Sequence, residues 1–219
     1  METSPYILKE FKAFSLETTV NEIKTFFNET TYSHFPIVKD NILIGLISET
    51  DVEGLDENDK EIGYFQYLYT IFFTEESDNL FEIIAVFASN ETNVIPVIDA
   101  QKKYIGYFDL IDILHIYNET PFLHNEGIVL LLEKETRDIS FSEICQIVES
   151  SGGKLLGLFI TESSETSVKV SLKFSSQDVN EIIQSFRRYE YKVLSNHEED
   201  FYLEELKERS NYLQKYLNI

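Results

Sequence analysis

The strongest constraint on what this chain can fold into is a stretch that occurs twice. Ser33 to Val52, SHFPIVKDNILIGLISETDV, returns as Asn93 to Leu114, NVIPVIDAQKKYIGYFDLIDIL, with one extra residue in the turn. Pro36 answers to Pro96, Gly45 to Gly106 and Asp51 to Asp112. Ahead of each copy lies a matching helix start. Thr19 and Glu22 in the first copy, and Asn79 and Glu82 in the second, have the spacing of a capping box. A recurring unit of about sixty residues has to be read for what its copies build together.

Each copy reads as helix, strand, turn, strand and helix start. Val20, Ile23, Phe26 and Phe27 fall three and four apart, one face of a short helix over Thr19 to Asn28; Leu80, Ile83, Ile84 and Phe87 do the same in the second copy. Phe35 to Val38 is a strand that Pro36 confines to an edge or a first ladder position. Asp40-Asn41 is a hairpin turn signal. Ile42 to Ile47, apolar almost throughout, predicts a strand buried on both faces. In the second copy, Val94 to Ile98 and Tyr104 to Phe108 are the strands. Phe11 and Phe14 are expected in the first core, Glu53 to Glu61 as a surface loop, and the aromatic run Tyr64 to Phe73 between the two copies.

Pro121 breaks the pattern near Glu119 to Glu126, and the rhythm then changes. Ile128 to Glu133 is a strand. Ser140 to Ser150 is a helix with Phe141, Ile144, Ile147 and Val148 inward, closed by Gly152-Gly153. Leu155 to Ile160 and Ser167 to Phe174 are strands, Val179 to Tyr189 a helix and Lys192 to Ser195 a last short strand. The order β-α-β-β-α-β is the ferredoxin-like split motif. Glu198 to Leu217 reads as a final helix in which Leu203, Leu206, Leu213 and Leu217 form a stripe, suited to a dimer seam or to docking on its own domain.

Charge and motif content exclude several functions. With 18 basic and 39 acidic residues, the net charge of −21 opposes binding to DNA, RNA or anionic membranes. Cys145 is the one cysteine, so no internal disulfide forms, and its place in a helical pattern makes it a core residue. The N-terminus has no basic stretch followed by an apolar run, and Tyr64 to Phe73 is too short to span a bilayer; a cytoplasmic protein is expected. His34, His115, His124 and His197 lack metal-ligand or triad spacing, and neither a GxxxxGK[ST] nor a GxGxxG loop is present. No catalytic constellation is visible, so the expectation is a protein that is not an enzyme.

The twice-repeated order of helix, strand entered at Pro, strand ending in Gly, then hydroxyl and Asp at three-residue steps resembles the cystathionine-β-synthase (CBS) domain, over roughly Phe11 to Tyr117. The remainder resembles an ACT-type regulatory domain, and the whole is similar to bacterial acetoin-utilisation-type CBS proteins. The expected fold is α+β. A CBS pair occupies 1–120, with copy one at about 11–60 and copy two at about 72–118; an ACT-like domain follows at 126–197 and a terminal helix at 198–219. The resemblance implies two clefts between the copies that take adenine nucleotides, AMP, ADP or ATP, and pairing into a homodimer. ACT domains that bind amino acids place a Gly in the turn after the first strand. Here that turn, EKETRDIS from Glu133 to Ser140, has none, which points to pairing or contact with a protein partner instead.

Carried onto this chain, the family pattern puts a phosphate contact at Ser48 and a ribose contact at Asp51, with Phe35 and Pro36 at the adenine wall. In the second copy Gly106 and Asp112 fit the pattern, but Asp109 stands where a Thr is expected. Ser48 and Asp109 equally suit plain helix caps. Asp109 and Asp112 share a face of a helix start and could take Mg2+ together with phosphate. The two clefts are therefore expected to be unequal. The leading expectation is a sensor or regulatory module for an adenine nucleotide or related small ligand. The alternative is an interaction scaffold whose clefts stay ligand-free and which acts through dimerisation or a partner protein.

Overall fold

The computed structural model describes residues 3–195 and Tyr212. The chain forms two compact units that part between Asn118 and Glu119. The leucine stripe of the C-terminal stretch and His197 lie outside the described residues. Among the described residues no helix is long and apolar enough to cross a membrane.

In the first unit each copy opens on a capped helix. Helix α1 (Val20–Glu29) is preceded by Thr19, whose hydroxyl accepts the Glu22 N–H at 3.3 Å while the Glu22 carboxylate accepts the Thr19 N–H at 2.8 Å. A hairpin follows, β1 (His34–Lys39) and β2 (Ile42–Ser48). Its turn residues Asp40 and Asn41 take φ of 52° and 64°, the left-handed pair of a type I′ turn. A single-turn helix, α2 (Glu49–Glu53), closes the copy. After a 3₁₀ segment over Ile62–Leu68, the second copy repeats the plan. It comprises β3 (Thr74–Glu75), α3 (Leu80–Asn90), β4 (Val94–Ile98), β5 (Tyr104–Asp109) and α4 (Leu110–Asn118). Asn79 caps α3 by accepting the N–H groups of Phe81 and Glu82 at 3.0 and 3.2 Å.

The copies are tied together by their lead-in segments. The segment that enters copy one pairs at Leu8 with Tyr107 of β5, then runs parallel to β1 at Phe14 and Ile37. The segment that enters copy two pairs at Thr70 with Leu46 of β2, then forms β3 parallel to β4. Each lead-in thus crosses the other copy before joining its own. Gly45 and Gly106 sit at these crossings. A Cβ at Gly45 would lie 2.9 Å from Tyr69 Cβ, and one at Gly106 would lie 2.4 Å from the Leu8 carbonyl oxygen. The repeated glycine is therefore a requirement of close backbone approach.

Three expectations are corrected here. Ile42 to Ile47 is not buried on both faces: Ile42 is 54% exposed, because the strand's first residues stand at the hairpin tip, and burial is complete only from Gly45 to Ile47. Tyr64 to Phe73 is not sealed between the copies. Phe65 is buried in the copy-one core, but Tyr64, Tyr67 and Ile71 are more than 70% exposed, since a 3₁₀ turn followed by an extended crossing faces inward only at intervals. Phe11 is 37% exposed and packs edge-on against Phe26 at the margin of the core that Phe14 enters.

The second unit has a short α5 (Pro121–His124) and then β6 (Ile128–Glu135), α6 (Phe141–Ser150), β7 (Lys154–Ser163), β8 (Ser167–Ser175), α7 (Val179–Arg188) and β9 (Lys192–Val193). The sheet order is β7-β8-β6-β9 with every pair antiparallel, the ferredoxin-like arrangement. Ile144, Ile147 and Val148 of α6 and Val179, Ile182, Ile183 and Phe186 of α7 bury one sheet face together with Leu130, Val170 and Leu172, whereas Phe141, expected inward, is 42% exposed at the first position of α6. Gly152, at φ 73°, ends α6, and the Gly153 N–H donates back to the Val148 carbonyl at 2.9 Å. Cys145 is half-buried, not in the core: Ile144 and Val148 take the inward face, and Cys145 lies about 100° around the helix from Ile144.

Candidate functional site

The two strand-to-helix junctions, at the ends of β2 and β5, carry the polar residues that the repeat singles out. Each junction is anchored in the same way. The Glu49 N–H donates to the Ser33 carbonyl at 2.9 Å, and the Leu110 N–H donates to the Asn93 carbonyl at 3.0 Å. Ser33 and Asn93, equivalent in the repeat, also meet each other. The Asn93 side-chain oxygen accepts the Ser33 N–H at 2.8 Å and the Ser33 hydroxyl at 3.1 Å, and the Asn93 amide donates to the Thr31 carbonyl at 2.6 Å. Both junctions are thereby fixed on one shared polar link.

At the copy-one junction Ser48 and Asp51 are in direct contact. The Ser48 hydroxyl donates to the Asp51 carboxylate at 2.6 Å and accepts the Asp51 N–H at 3.0 Å. Ser48 is thus the cap of α2, and its one proton is held by Asp51. Both residues are half-buried. His34 stands opposite Ser48 in the β1–β2 register. Its ring packs edge-on against Phe72 at 5.7 Å, and its Nδ1 lies 3.0 Å from the Ser33 hydroxyl. Burial lowers the His34 pKa below its ordinary value, and the Asp51 charge pulls partly against that. No spacing rule singles out His34; only the strand register brings it to Ser48.

At the copy-two junction Asp109 accepts the N–H groups of Ile111 at 2.7 Å and Asp112 at 3.4 Å, so it caps α4. Its surroundings differ from those of Ser48. Tyr32 is pushed to a high pKa mainly by burial, then by Tyr107 and by the negative charges of Asp109 and Glu10. Tyr107 is fully buried, belongs to the copy-one core and lies 5.8 Å from the Tyr32 ring. Its hydroxyl is buried, acts on the Tyr32 hydroxyl, and makes no hydrogen bond of ordinary geometry among the described residues.

Phe35 and Pro36, expected at an adenine wall, are both buried. Phe35 has no exposed surface and is ringed by Phe26 at 4.4 Å, Phe14 at 5.3 Å, Tyr107 at 5.4 Å and Tyr32 at 5.6 Å. The junctions thus bring Ser48 and Asp51 together and hold Asp109 beside Asp112, while Phe35 and Pro36 stand in the core. No group of three His, Cys, Asp or Glu side chains converges among the described residues, so Mg2+ at Asp109 and Asp112 would need oxygen ligands from a phosphate and water. A cleft of about 630 Å3 opens at the hairpin tips, lined by residues such as Lys9, Lys12, Asp40 and Lys103, and none of the junction residues Ser48, Asp51, Asp109 or Asp112 lines it.

Comparison with known proteins decides the family of this unit. The sequence profile of the CBS domain matches residues 5–54 and again residues 70–119. The chain carries a tandem pair of CBS domains. An uncharacterised protein of Methanocaldococcus jannaschii is 24% identical over 150 residues, which cover 64% of this chain and 57% of that protein. The chain therefore spans a little over half the length of that relative. Among solved structures, a CBS domain pair/ACT domain protein from Thermotoga maritima is 19% identical, with TM-score 0.48, over 54% of this chain and 98% of that one. CBSX2, solved in complex with AMP, is 21% identical, with TM-score 0.45, over 53% of this chain and 95% of that one.

Proposed function

We propose that this CBS pair is a non-enzymatic regulatory module that binds one adenine nucleotide, or a closely related phosphate-bearing ligand, at the copy-one junction. The observation that carries this reading is the Ser48–Asp51 pair. A hydroxyl and a carboxylate three residues apart, held at the end of β2, offer a donor for a phosphate oxygen and an acceptor for ribose hydroxyls. Binding exchanges the internal Ser48–Asp51 hydrogen bond for these two. The copy-two junction offers the Asp109 carboxylate in place of a hydroxyl and is assigned no phosphate ligand. The ligand class follows from CBS membership and from the residue types at the junction. The test is calorimetric titration of AMP, ADP and ATP. One site per chain is expected, and the absence of heat at millimolar nucleotide would reject the reading.

A second reading, an interaction scaffold that binds no ligand, is favoured by the filling of the unit's interior with Phe14, Phe26, Phe35 and Tyr107. It is also favoured by apolar side chains left exposed on the second copy's helices, Phe81 at 72%, Ile111 at 59% and Leu114 at 44%. These support assembly as a homodimer or capture of a protein partner. Light scattering at micromolar concentration separates them: a dimer is expected, and a monomer would leave the exposed face to a different protein. The acidic surface argues against nucleic acid as that partner.

A further inference from the structure

We infer that His34 is a specificity-determining residue of the copy-one junction, which takes up a proton at Nε2 when a phosphate-bearing ligand binds and then donates to that phosphate. This rests on the reading of Ser48 and Asp51 as a ligand site.

The argument runs through the hydrogen-bond link between the copies. Asn93 is oriented by its amide donating to the Thr31 carbonyl, which leaves its oxygen as an acceptor facing Ser33. The Ser33 hydroxyl has one proton and gives it to that oxygen. The Thr92 hydroxyl, 3.4 Å away, gives its own proton to the Val94 carbonyl. The Ser33 oxygen therefore meets His34 Nδ1 as an acceptor, and Nδ1 must carry the hydrogen. In the neutral ring the other nitrogen, Nε2, is then a bare lone pair. A residue of copy two thus fixes the tautomer of a histidine in copy one.

The consequence is a proton-coupled site. A lone pair at Nε2 repels a phosphate oxygen, whereas a protonated Nε2 donates to it. Protonation leaves the Nδ1–Ser33 bond intact, so no rearrangement is needed. The charged and titratable groups around His34 are few. Asp51, from α2, is the charged group that acts on it, while Ser33, Thr92, Asn93 and Phe72 carry no charge. Without ligand, burial keeps the ring neutral near pH 7. A bound phosphate adds a second negative charge beside Asp51 and raises the His34 pKa. The affinity is then fully present below the pKa of the free protein and is lost as pH rises through that of the complex, by up to about tenfold per pH unit.

Two measurements on the full chain test this. Nitrogen NMR of the wild type reads the tautomer directly: hydrogen on Nδ1 is expected, and hydrogen on Nε2 overturns the inference whatever binds. Titration of AMP and ATP near pH 7, in buffers of different ionisation enthalpy, counts protons. A phosphate's own proton, titrating near 6, is common to every variant. The wild type is expected to take up more than His34→Gln, by a difference approaching about one proton. Equal uptake in the two proteins overturns the role of His34 while leaving the Ser48–Asp51 site standing. No binding of either nucleotide rejects that site and this inference with it.

Discussion

At the end of β2 the chain places Ser48 and Asp51, and at the equivalent end of β5 it places Asp109 and Asp112. The backbones match: both junctions are tied to a carbonyl just before the copy's first strand, both follow a glycine at a lead-in crossing, and both strand pairs shift register at the same point, after Ile37 and after Val97. The chemistry does not match. Copy one presents a hydroxyl, a carboxylate and a half-buried imidazole; the copy-two junction presents a carboxylate cap, a further acid at Glu10, the half-buried Tyr32 and the buried Tyr107. A phosphate at Ser48 takes the place of the Asp51 carboxylate as acceptor of a charge-assisted hydrogen bond of about 1.5–3 kcal/mol. The same phosphate about 4 Å from Asp109 meets a repulsion of roughly 4 kcal/mol at an effective dielectric near 20. On the proposed reading the repeat sets where a ligand sits, and Ser48 against Asp109 sets whether an anion is accepted there.

The comparison can be pressed first at the crossings. In Gly106→Ala the new Cβ lies 2.4 Å from a backbone oxygen, at φ 148°, where two Leu8–Tyr107 hydrogen bonds prevent the lead-in from moving away. A loss of about 3–5 kcal/mol in urea denaturation is expected. In Gly45→Ala the nearest atom is the Cβ of Tyr69 at 2.9 Å, and a loss of about 1–2 kcal/mol is expected. Equal losses would mean that the two crossings are equally tolerant and that the asymmetry lies only in the junctions.

The helix caps give a smaller difference. Asn79 accepts two N–H groups and Thr19 one, so Asn79→Ala should cost about 1–2 kcal/mol and Thr19→Ala about half of that. The reverse order would show that copy two gains little from its second cap bond. The least effect is expected at Tyr107, whose hydroxyl is buried without a hydrogen bond of ordinary geometry where copy one has Leu46. Tyr107→Phe removes that hydroxyl and keeps the ring against Phe35, so stability should hold or rise by up to about 1 kcal/mol. A clear loss would show that the hydroxyl is held by Tyr32.

Much of the architecture was legible because it is written in local terms. Capping boxes, the Asp40–Asn41 turn, helical spacing and the β-α-β-β-α-β order each depend on residues a few positions apart. The reasons for the repeated glycine were not legible, because they lie in Leu8 and Thr70, far along the chain and in the opposite copy. The motif puts Phe35 at a cleft wall, whereas the fold surrounds it with aromatic rings from α1, the lead-in and β5. His34 is the complementary case. Alone it matches no spacing rule, and its interest comes from the register with Ser48 and the bond network through Ser33 and Asn93.

The most direct test of the inequality between the junctions is calorimetric titration of AMP into the wild type, Asp51→Ala and Asp109→Thr, with folding of each variant checked by its thermal transition. One site per chain is expected in the wild type, loss of that site in Asp51→Ala, and its retention in Asp109→Thr, where a second site can open once the repelling carboxylate is gone. Binding by Asp51→Ala that equals the wild type, together with loss in Asp109→Thr, would contradict the account, because it would place the nucleotide at the junction with the acidic cap.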